Sequence, residues 1–287
     1  MHPWYVAVER EELRRLYVDE RHTTTEIAAR LGCGPTTIRR RLDRFDIAAR
    51  SRGTDPVRWL RRRDPGLETR DIWSPAVAYA VGLMATDGNL SGNGRNMTLS
   101  SKDVDLLETF RQCLGLRTAI APCLNGRGTQ YWRVQWSDRR LYKWLLSIGL
   151  TPAKSLTLGP LAIPDDHFAD FFRGCIDGDG SIVVYTGRYH TAKNARYVYD
   201  RLYVSVVSAS PAFVQWLQVQ VRTLTGLVGA VGETRAEGRR TMAYLRFAKR
   251  ESTALLRWMY HAPGVPALAR KRVKAEPFLS GVSPEYP

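Results

Sequence analysis

The sequence lacks the features that mark membrane-spanning, secreted and disulfide-stabilised proteins. Its longest apolar run, residues 76–85, has ten residues, about half of what a membrane span needs. No basic segment followed by an apolar run opens the chain, so we expect no secretory signal peptide. Its four cysteines show no Cys-x-x-Cys spacing, which argues against a zinc ribbon or a disulfide scaffold. We therefore expect a non-secreted protein with reduced thiols, cytoplasmic in a prokaryote or phage, or organellar.

Several catalytic signatures are absent as well. No Gly-Lys-Ser/Thr Walker pattern occurs, so an ATP-driven enzyme is not supported. The five histidines form no cluster in the sequence. Residues 177–181 begin like a calcium-binding loop, but Ile182 stands where that loop needs glycine and Arg188 where it needs an acid. An ATP-driven enzyme or a calcium-binding loop is therefore not expected.

Acidic residues and lysine are both scarce. The 287 residues include 43 Lys and Arg against 28 Asp and Glu, a formal net charge of +15, and Arg supplies 36 of the 43 positive charges. The hydrophobic share of 44% is enough for a packed core, and the length suggests about two domains. Because the planar guanidinium group binds phosphates through paired hydrogen bonds, this composition favours a nucleic-acid partner. A surface charge that only serves solubility is the alternative.

Residues 1–46 predict a small all-α domain. Thr23 precedes Glu26 by three residues, which is a capping box, and Pro35 suits the first position of a further helix. Two short helices joined by a tight glycine turn, the second one basic, indicate a helix-turn-helix. Its candidate base-contacting residues are Thr36, Thr37, Arg39 and Arg40, and its candidate phosphate-contacting residues are Arg41 and Arg44. A helical protein-interaction domain is the alternative, and residues 47–73 are expected to form a basic linker.

The rest of the chain contains an internal repeat. Residues 80–88 and 172–180 are both apolar, glycine-containing runs that end in Asp-Gly. The similarity continues further on, where residues 131–136 (Tyr-Trp-Arg-Val-Gln-Trp) are echoed by residues 244–247 (Tyr-Leu-Arg-Phe). The order of predicted elements is helix, two strands, helix, two strands, helix in each half, and they include helices at 75–86 and 166–176 and a strand at 117–122. We therefore expect an α+β fold of two pseudo-symmetric αββαββα halves, at 74–160 and 161–287.

The glycines in the repeated helices predict where the two halves meet. Gly82 and Gly174 would weaken their helices by about 1 kcal/mol each, unless two backbones must approach closely there. Close packing of the two helices would bring Asp87 and Asp179 to one place. Two adjacent carboxylates repel unless a cation lies between them, and hard oxygen ligands suit Mg²⁺. Either Asp-Gly alone would indicate only a turn, but two matched copies in a basic protein favour a metal site for phosphodiester hydrolysis.

The two nine-residue runs resemble the signature of the LAGLIDADG homing endonucleases, in the single-chain form with two motifs. The resemblance covers roughly residues 73–275 and implies a DNA-binding saddle. It implies that two or three divalent ions, Mg²⁺, are held by Asp87 and Asp179 and by the carbonyls of Thr86 and Gly178. It also implies one basic catalytic residue per half, and Lys154 and Lys271 follow the last helix of each half. The first motif departs at its sixth position, which is Ala85 instead of Asp.

The alternation of apolar and polar residues along the predicted strands indicates which surface binds DNA. On each predicted strand the apolar residues fall on one face, and the other face carries Arg, Tyr, Gln and Ser, which suit base edges and phosphates. A hairpin over residues 188–196 is expected to reach further along the groove. The candidate DNA-binding residues are Tyr131, Arg133, Gln135, Arg188, Lys193, Arg196, Arg201, Tyr203, Ser205, Tyr244 and Arg246. A solvated β face is the alternative.

These patterns together lead to one expected function and two competing ones. The expected function is a monomeric, site-specific endonuclease that cuts both strands of a long, non-palindromic DNA target. A non-cleaving transcription regulator with a degenerate LAGLIDADG domain is the first alternative. In such regulators the helix-turn-helix follows that domain and the motif acids are usually lost, unlike here. An intron maturase that binds RNA is the second alternative.

Overall fold

The computed structural model describes residues 9–20, 22–48, 73–124, 128–188, 198–234 and 241–279. They fall into two compact units, one within residues 1–52 and one within residues 53–287, and each is described by itself. The predicted linker at 47–73 lies almost entirely outside the described residues. Among the described residues, no helix is long and apolar enough to cross a bilayer.

The first unit is built from three short helical segments. Helix α1 (Arg10–Arg14) continues as one π-helical turn (Arg15–Asp19), and α2 (Thr24–Arg30) and α3 (Pro35–Arg44) follow. The predicted capping box is present, because Thr23 N donates to Glu26 Oε2 at 2.7 Å and Glu26 N donates to Thr23 Oγ1 at 3.2 Å. A small apolar core holds the segments together and includes Leu13, Leu16, Ile27, Ile38 and Leu42. The helices are those expected, and the helix-turn-helix assignment stays a prediction.

The second unit has an α+β fold made of two αββαββα halves, as predicted. The first half comprises α4 (Pro75–Thr86), β1 (Gly88–Leu90), β2 (Asn96–Ser101), α5 (Val104–Leu114), β3 (Ala121–Leu124), β4 (Gln130–Ser137) and α6 (Arg139–Ser147). The second half comprises α7 (Phe168–Asp179), β5 (Gly180–Gly187), β6 (Tyr199–Ser208), α8 (Pro211–Thr225), β7 (Ala230–Thr234), β8 (Met242–Phe247) and α9 (Lys249–Met259). A last helix, α10 (Ala269–Ala275), follows the second half.

The two halves contain sheets of the same topology. The strand orders are β1-β2-β4-β3 and β5-β6-β8-β7, and every neighbouring pair is antiparallel. Leu99 lies opposite Val134 in the first sheet, and Val206 lies opposite Leu245 in the second. All four are fully buried, so one face of each sheet packs against helices and the alternate residues face away from that core.

Helix α4 lies at the centre of the second unit. All of its residues from Val77 to Ala85 are buried, which explains why its sequence is apolar all round instead of amphipathic. It begins at Pro75, whose missing N–H is not needed there, and the side chain of Ser74 accepts a hydrogen bond from Val77 N. The central helix therefore connects the cores of both halves through its contact with α7.

Some element boundaries differ by a few residues from those predicted. Helix α7 runs to Asp179 instead of ending at Ile176, and the strand predicted at 117–122 occupies Ala121–Leu124.

The predicted correspondence between Tyr131 and Tyr244 is out of register. Measured from the buried pairs of each sheet, Val134 corresponds to Leu245, so Arg133 corresponds to Tyr244 and Gln135 to Arg246. A shift of two residues leaves every side chain on the same face, so the sequence pattern cannot detect it.

Candidate functional site

The candidate site depends on a very close contact between α4 and α7. A Cβ atom on Gly82 would lie 2.2 Å from the carbonyl oxygen of Phe171, and one on Gly174 would lie 2.2 Å from that of Tyr79. Near the helix ends, a Cβ atom on Gly178 would lie 2.0 Å from Thr86 Oγ1. The obstacles at Gly82 and Gly174 are backbone atoms, so these two glycines allow the helices to pack backbone against backbone, as the sequence predicts, whereas Gly178 leaves room for the side chain of Thr86.

The contact brings Asp87 and Asp179 together. Asp87 is the C-cap of α4, Asp179 is the last residue of α7, and both are exposed at the helix ends. A Cβ atom on Gly178, the neighbour of Asp179, would lie 2.9 Å from Asp87 Oδ2. Partial desolvation by the surrounding protein raises the pKa of Asp87 to about 6, and the negative charge of Asp179 contributes to the same shift. Desolvation also raises the pKa of Asp179. The charge of Asp179 therefore acts on the carboxyl group of Asp87.

Lys154 lies directly behind the end of α4. It opens a 3-10 turn (Lys154–Leu156) and is only 6% exposed. Its Nζ atom donates to the carbonyl oxygen of Gly88 at 2.6 Å and to that of Thr86 at 3.4 Å. Burial lowers its pKa, while the charges of Asp179 and Asp87 act in the opposite direction. The ammonium group thus stabilises the negative end of the α4 dipole beside the carboxylate pair.

Lys271 has the matching position at the end of α7. It belongs to α10 and is 3% exposed. Its Nζ atom donates to the carbonyl oxygens of Ile176 at 2.5 Å, Asp177 at 2.8 Å and Gly180 at 2.7 Å, and lies 3.4 Å from that of Gly178. Burial lowers its pKa to about 8. Each half therefore buries one predicted lysine under its own motif helix, directed at backbone carbonyls.

Asp177 is a site residue that the sequence analysis missed. It is buried on α7, where Oδ2 accepts hydrogen bonds from Tyr79 on α4 at 2.8 Å and from Leu268 N at 2.7 Å. Leu268 is the N-cap of α10, so this carboxylate connects both motif helices to the helix that carries Lys271. Burial raises its pKa to about 6. The available signal was an acid inside an otherwise apolar motif, at the position where the first copy has Ala85.

An open pocket of about 360 Å³ lies beside Asp87. Residues from both halves line it, including Ser100, Lys102 and Tyr131 from the first half and Asp177 and Arg270 from the second. Asp177 Oδ1 is buried and makes no hydrogen bond with any described residue. Arg270 Nη2 donates to Asp103 Oδ2 at 2.9 Å, which joins α10 to the start of α5 across the pocket.

The donors at the helix ends suit a hard divalent cation. Asp87 and Asp179 supply carboxylate oxygens, and the carbonyls of Thr86 and Gly178 each accept a long hydrogen bond of 3.4 Å from a lysine. Within the described ranges, no group of three His, Cys, Asp or Glu side chains forms a metal cluster. A cation here would therefore be held by two carboxylates with carbonyls and water, which is the environment that Mg²⁺ accepts and Zn²⁺ does not favour.

The first sheet presents the predicted polar face. Strand register places Gln135 opposite Thr98, and Arg133 opposite Ser100. Arg133 Nε donates to Ser100 Oγ at 3.3 Å, and Arg133 Nη2 donates to the hydroxyl of Tyr131 at 2.8 Å. These contacts hold the guanidinium group of Arg133 against the sheet. Arg133 is next to Val134, which lies in one row with Leu99 and with Gly88, the residue after Asp87.

The second sheet presents a matching face. Register places Ser205 opposite both Ser181 and Arg246, and Tyr203 opposite Val183. The guanidinium carbon of Arg246 lies 5.0 Å from the ring centroid of Tyr244. Arg201 lies on the same face, and Arg188 is exposed just beyond β5. Two further predicted residues, Lys193 and Arg196, lie outside the described residues.

The candidate DNA-contacting residues of the first unit lie on α3. Thr36, Arg39, Arg40 and Arg44 are exposed, whereas Thr37 and Arg41 are partly buried. Ile38 and Leu42 are buried on the opposite side of the same helix. The helix is therefore amphipathic with a basic outer face, and the role of that face stays a prediction.

Comparisons with known proteins identify similar folds. No protein-family model matches the sequence, and no curated protein matches it. Full-length DUF199/WhiA from Thermatoga maritima is similar at 13% identity with a TM-score of 0.45, over 80% of this chain and 66% of that one. The LAGLIDADG meganuclease I-AabMI bound to uncleaved DNA is similar at 14% identity with a TM-score of 0.47, over 72% and 90%. The I-LtrWI LAGLIDADG homing endonuclease bound to target DNA is similar at 14% identity with a TM-score of 0.45, over 71% and 88%. These similarities concern the fold alone.

Proposed function

We propose that the chain is a divalent-metal-dependent endonuclease that cuts both strands of double-stranded DNA at a specific site. The observation that carries the proposal is the carboxylate pair at the ends of two packed helices, Asp87 and Asp179, with a buried lysine behind each. A cluster of acids is unfavourable for a DNA-binding surface unless a cation neutralises it. A metal site for phosphodiester hydrolysis accounts for both the acids and the net charge of +15.

Asp87 and Asp179, with the carbonyls of Thr86 and Gly178, are the proposed metal ligands. A bound Mg²⁺ would supply Lewis-acid activation of the phosphodiester and of water. Lys154 and Lys271 would hold the helix ends in place and add positive charge near the scissile phosphates. Lys271 directs its three N–H groups at backbone carbonyls, so its contribution is electrostatic and structural instead of a direct hydrogen bond to phosphate.

The two sheets are the proposed DNA-binding surface. Their outward faces carry the side chains that suit base edges and phosphates, namely Tyr131, Arg133, Gln135, Arg201, Tyr203, Ser205, Tyr244 and Arg246. Both halves belong to one chain and carry different side chains at matched positions, so we propose a monomer with a non-palindromic target. We also propose domain boundaries at 46 and 160. Helix α3 of the first unit would add affinity for DNA.

A binding selection followed by cleavage tests the proposal. A pool of random DNA duplexes is passed over the full chain in Ca²⁺, and the retained duplexes are then incubated with fresh protein and Mg²⁺. We expect double-strand cleavage in Mg²⁺ and none in EDTA. Asp87→Asn and Asp179→Asn should retain the duplexes and leave at least one strand uncut. The exposed Asp166→Asn, outside the pair, is the matched control and should cut normally.

Two outcomes would contradict the proposal. Tight retention of specific duplexes without any cleavage would favour a non-cleaving regulator. Preferential retention of structured RNA over duplex DNA, measured by competition, would favour an intron maturase. Unchanged cleavage by either Asp variant would overturn the metal-ligand assignment while leaving the nuclease in place.

A further inference from the structure

Strand register identifies two side chains at equivalent positions in the two halves. In the first half, the second residue after the motif acid, Asn89, lies in a row with Thr98 and Gln135. In the second half, the second residue after the motif acid, Ser181, lies in a row with Ser205 and Arg246. Gln135 and Arg246 are therefore separated from the carboxylate pair by the same number of strand positions.

Both side chains face away from the protein core. Their neighbours along the strand, Val134 and Leu245, are fully buried, so strand alternation directs Gln135 and Arg246 to the opposite face, where both are exposed. Gln135 lies opposite Thr98, and Arg246 lies opposite Ser205. Because these neighbours are small, the side chains of Gln135 and Arg246 extend further from the sheet than theirs. Contact with the Tyr244 ring also restricts the guanidinium group of Arg246.

The chemistry of the two side chains matches different bases. A glutamine amide pairs with the N6 and N7 atoms of adenine, whereas a guanidinium group pairs with the O6 and N7 atoms of guanine. We infer that Gln135 and Arg246 specify an A·T pair in one half-site and a G·C pair in the other, at equal distances from the centre of the target. This inference rests on the proposed function, since it requires the two sheets to bind the major groove.

Exchanging the two residues tests the inference. The wild type, Gln135→Arg, Arg246→Gln and the double exchange are each used to select duplexes from the same random pool in Ca²⁺, and the bound DNA is sequenced. We expect Gln135→Arg to change the preferred base from adenine to guanine in its half-site, and the double exchange to interchange these two base preferences between the half-sites. Each preference should be about 5- to 150-fold, the range for one bidentate contact. Arg222→Gln on α8 is the matched control and should leave base preferences unchanged.

The possible failures are distinguishable. If the wild type retains no duplex DNA, the proposed function fails and the inference fails with it. If specific duplexes are retained but the exchanges alter no base preference, the inference alone is overturned. A uniform loss of affinity for all sequences in Arg246→Gln, with a shallower salt dependence, would also overturn it, because that result identifies a phosphate contact.

Discussion

Replacing Gly82 with alanine tests whether backbone contact between α4 and α7 determines both stability and activity. The new methyl carbon would lie 2.2 Å from the carbonyl oxygen of Phe171 and 2.9 Å from the Cα atom of Gly174. Both obstacles are backbone atoms that cannot rotate away. The helices must therefore separate by about 1 Å to restore ordinary van der Waals distances.

The expected loss of stability follows from two opposing effects. Overpacking a tight core costs about 1–3 kcal/mol, and an obstruction by backbone lies at the upper end of that range. Alanine is better than glycine inside a helix by about 1 kcal/mol, which offsets part of the cost. We expect the free energy of unfolding to fall by about 2 kcal/mol. With a urea m-value of about 3 kcal/mol/M, the midpoint should fall by roughly 0.7 M.

The assay combines urea unfolding, followed by circular dichroism, with cleavage of the selected duplex. Separation by about 1 Å would displace Asp87 from Asp179, and such a misplacement can reduce the rate by about a hundredfold. Gly159→Ala is the matched control, because a Cβ atom there meets nothing within 4 Å. A Gly82→Ala midpoint equal to or above that of the wild type would refute the argument, since the propensity gain would then outweigh any clash.

Four further substitutions test the groups around the carboxylate pair. Burial raises the pKa of Asp177 to about 6 in the folded state, so its favourable contribution is complete below about pH 4 and is lost as the pH rises through 6. Asp177→Asn should therefore make the free energy of unfolding, obtained from urea unfolding, less dependent on pH between about 3 and 7, by up to about 3 kcal/mol, and an unchanged pH dependence would contradict this. Lys271→Met removes the donor for more carbonyls than Lys154→Met, so we expect a loss of about 3 kcal/mol for the first and a smaller loss for the second. Equal losses would contradict that order. Arg270→Ala removes a half-exposed ion pair with Asp103 and should lower stability by no more than about 1 kcal/mol in the same assay.

The sequence predicts the helix contact and the carboxylate pair because both depend on local spacing. Gly82 and Gly174 occupy equal positions before Asp87 and Asp179, and glycine inside an apolar helix has few explanations besides close packing. Helix α4 begins and ends where predicted, since Pro75 fixes its start and Asp-Gly follows its end. The physical signals for these features lie within a few residues of each other.

Other parts of the site have no such local signal. Strand β1 has three residues, which is too short for alternation to appear. Helix α10, Ala-Arg-Lys-Arg-Val-Lys-Ala, buries only Lys271 and Ala275, so its sequence lacks an apolar face. Which carbonyls Lys271 binds depends on how α10 packs under α7. Tertiary contacts, and not helix propensity, define this side of the site.

The correspondence between the two sheets decides what the site can recognise. Sequence similarity suggests that Tyr131 matches Tyr244. On that basis the two halves would present the same Tyr-x-Arg pair to matched bases. Register instead matches Arg133 with Tyr244 and Gln135 with Arg246, so the chemistry differs at each matched position. A pseudo-symmetric backbone with unlike side chains at matched positions favours unlike half-sites, because an amide and a guanidinium group pair with different bases. The register therefore supports the non-palindromic target that the sequence already predicts, through a mismatch that the similarity of residues 131–133 and 244–246 does not reveal.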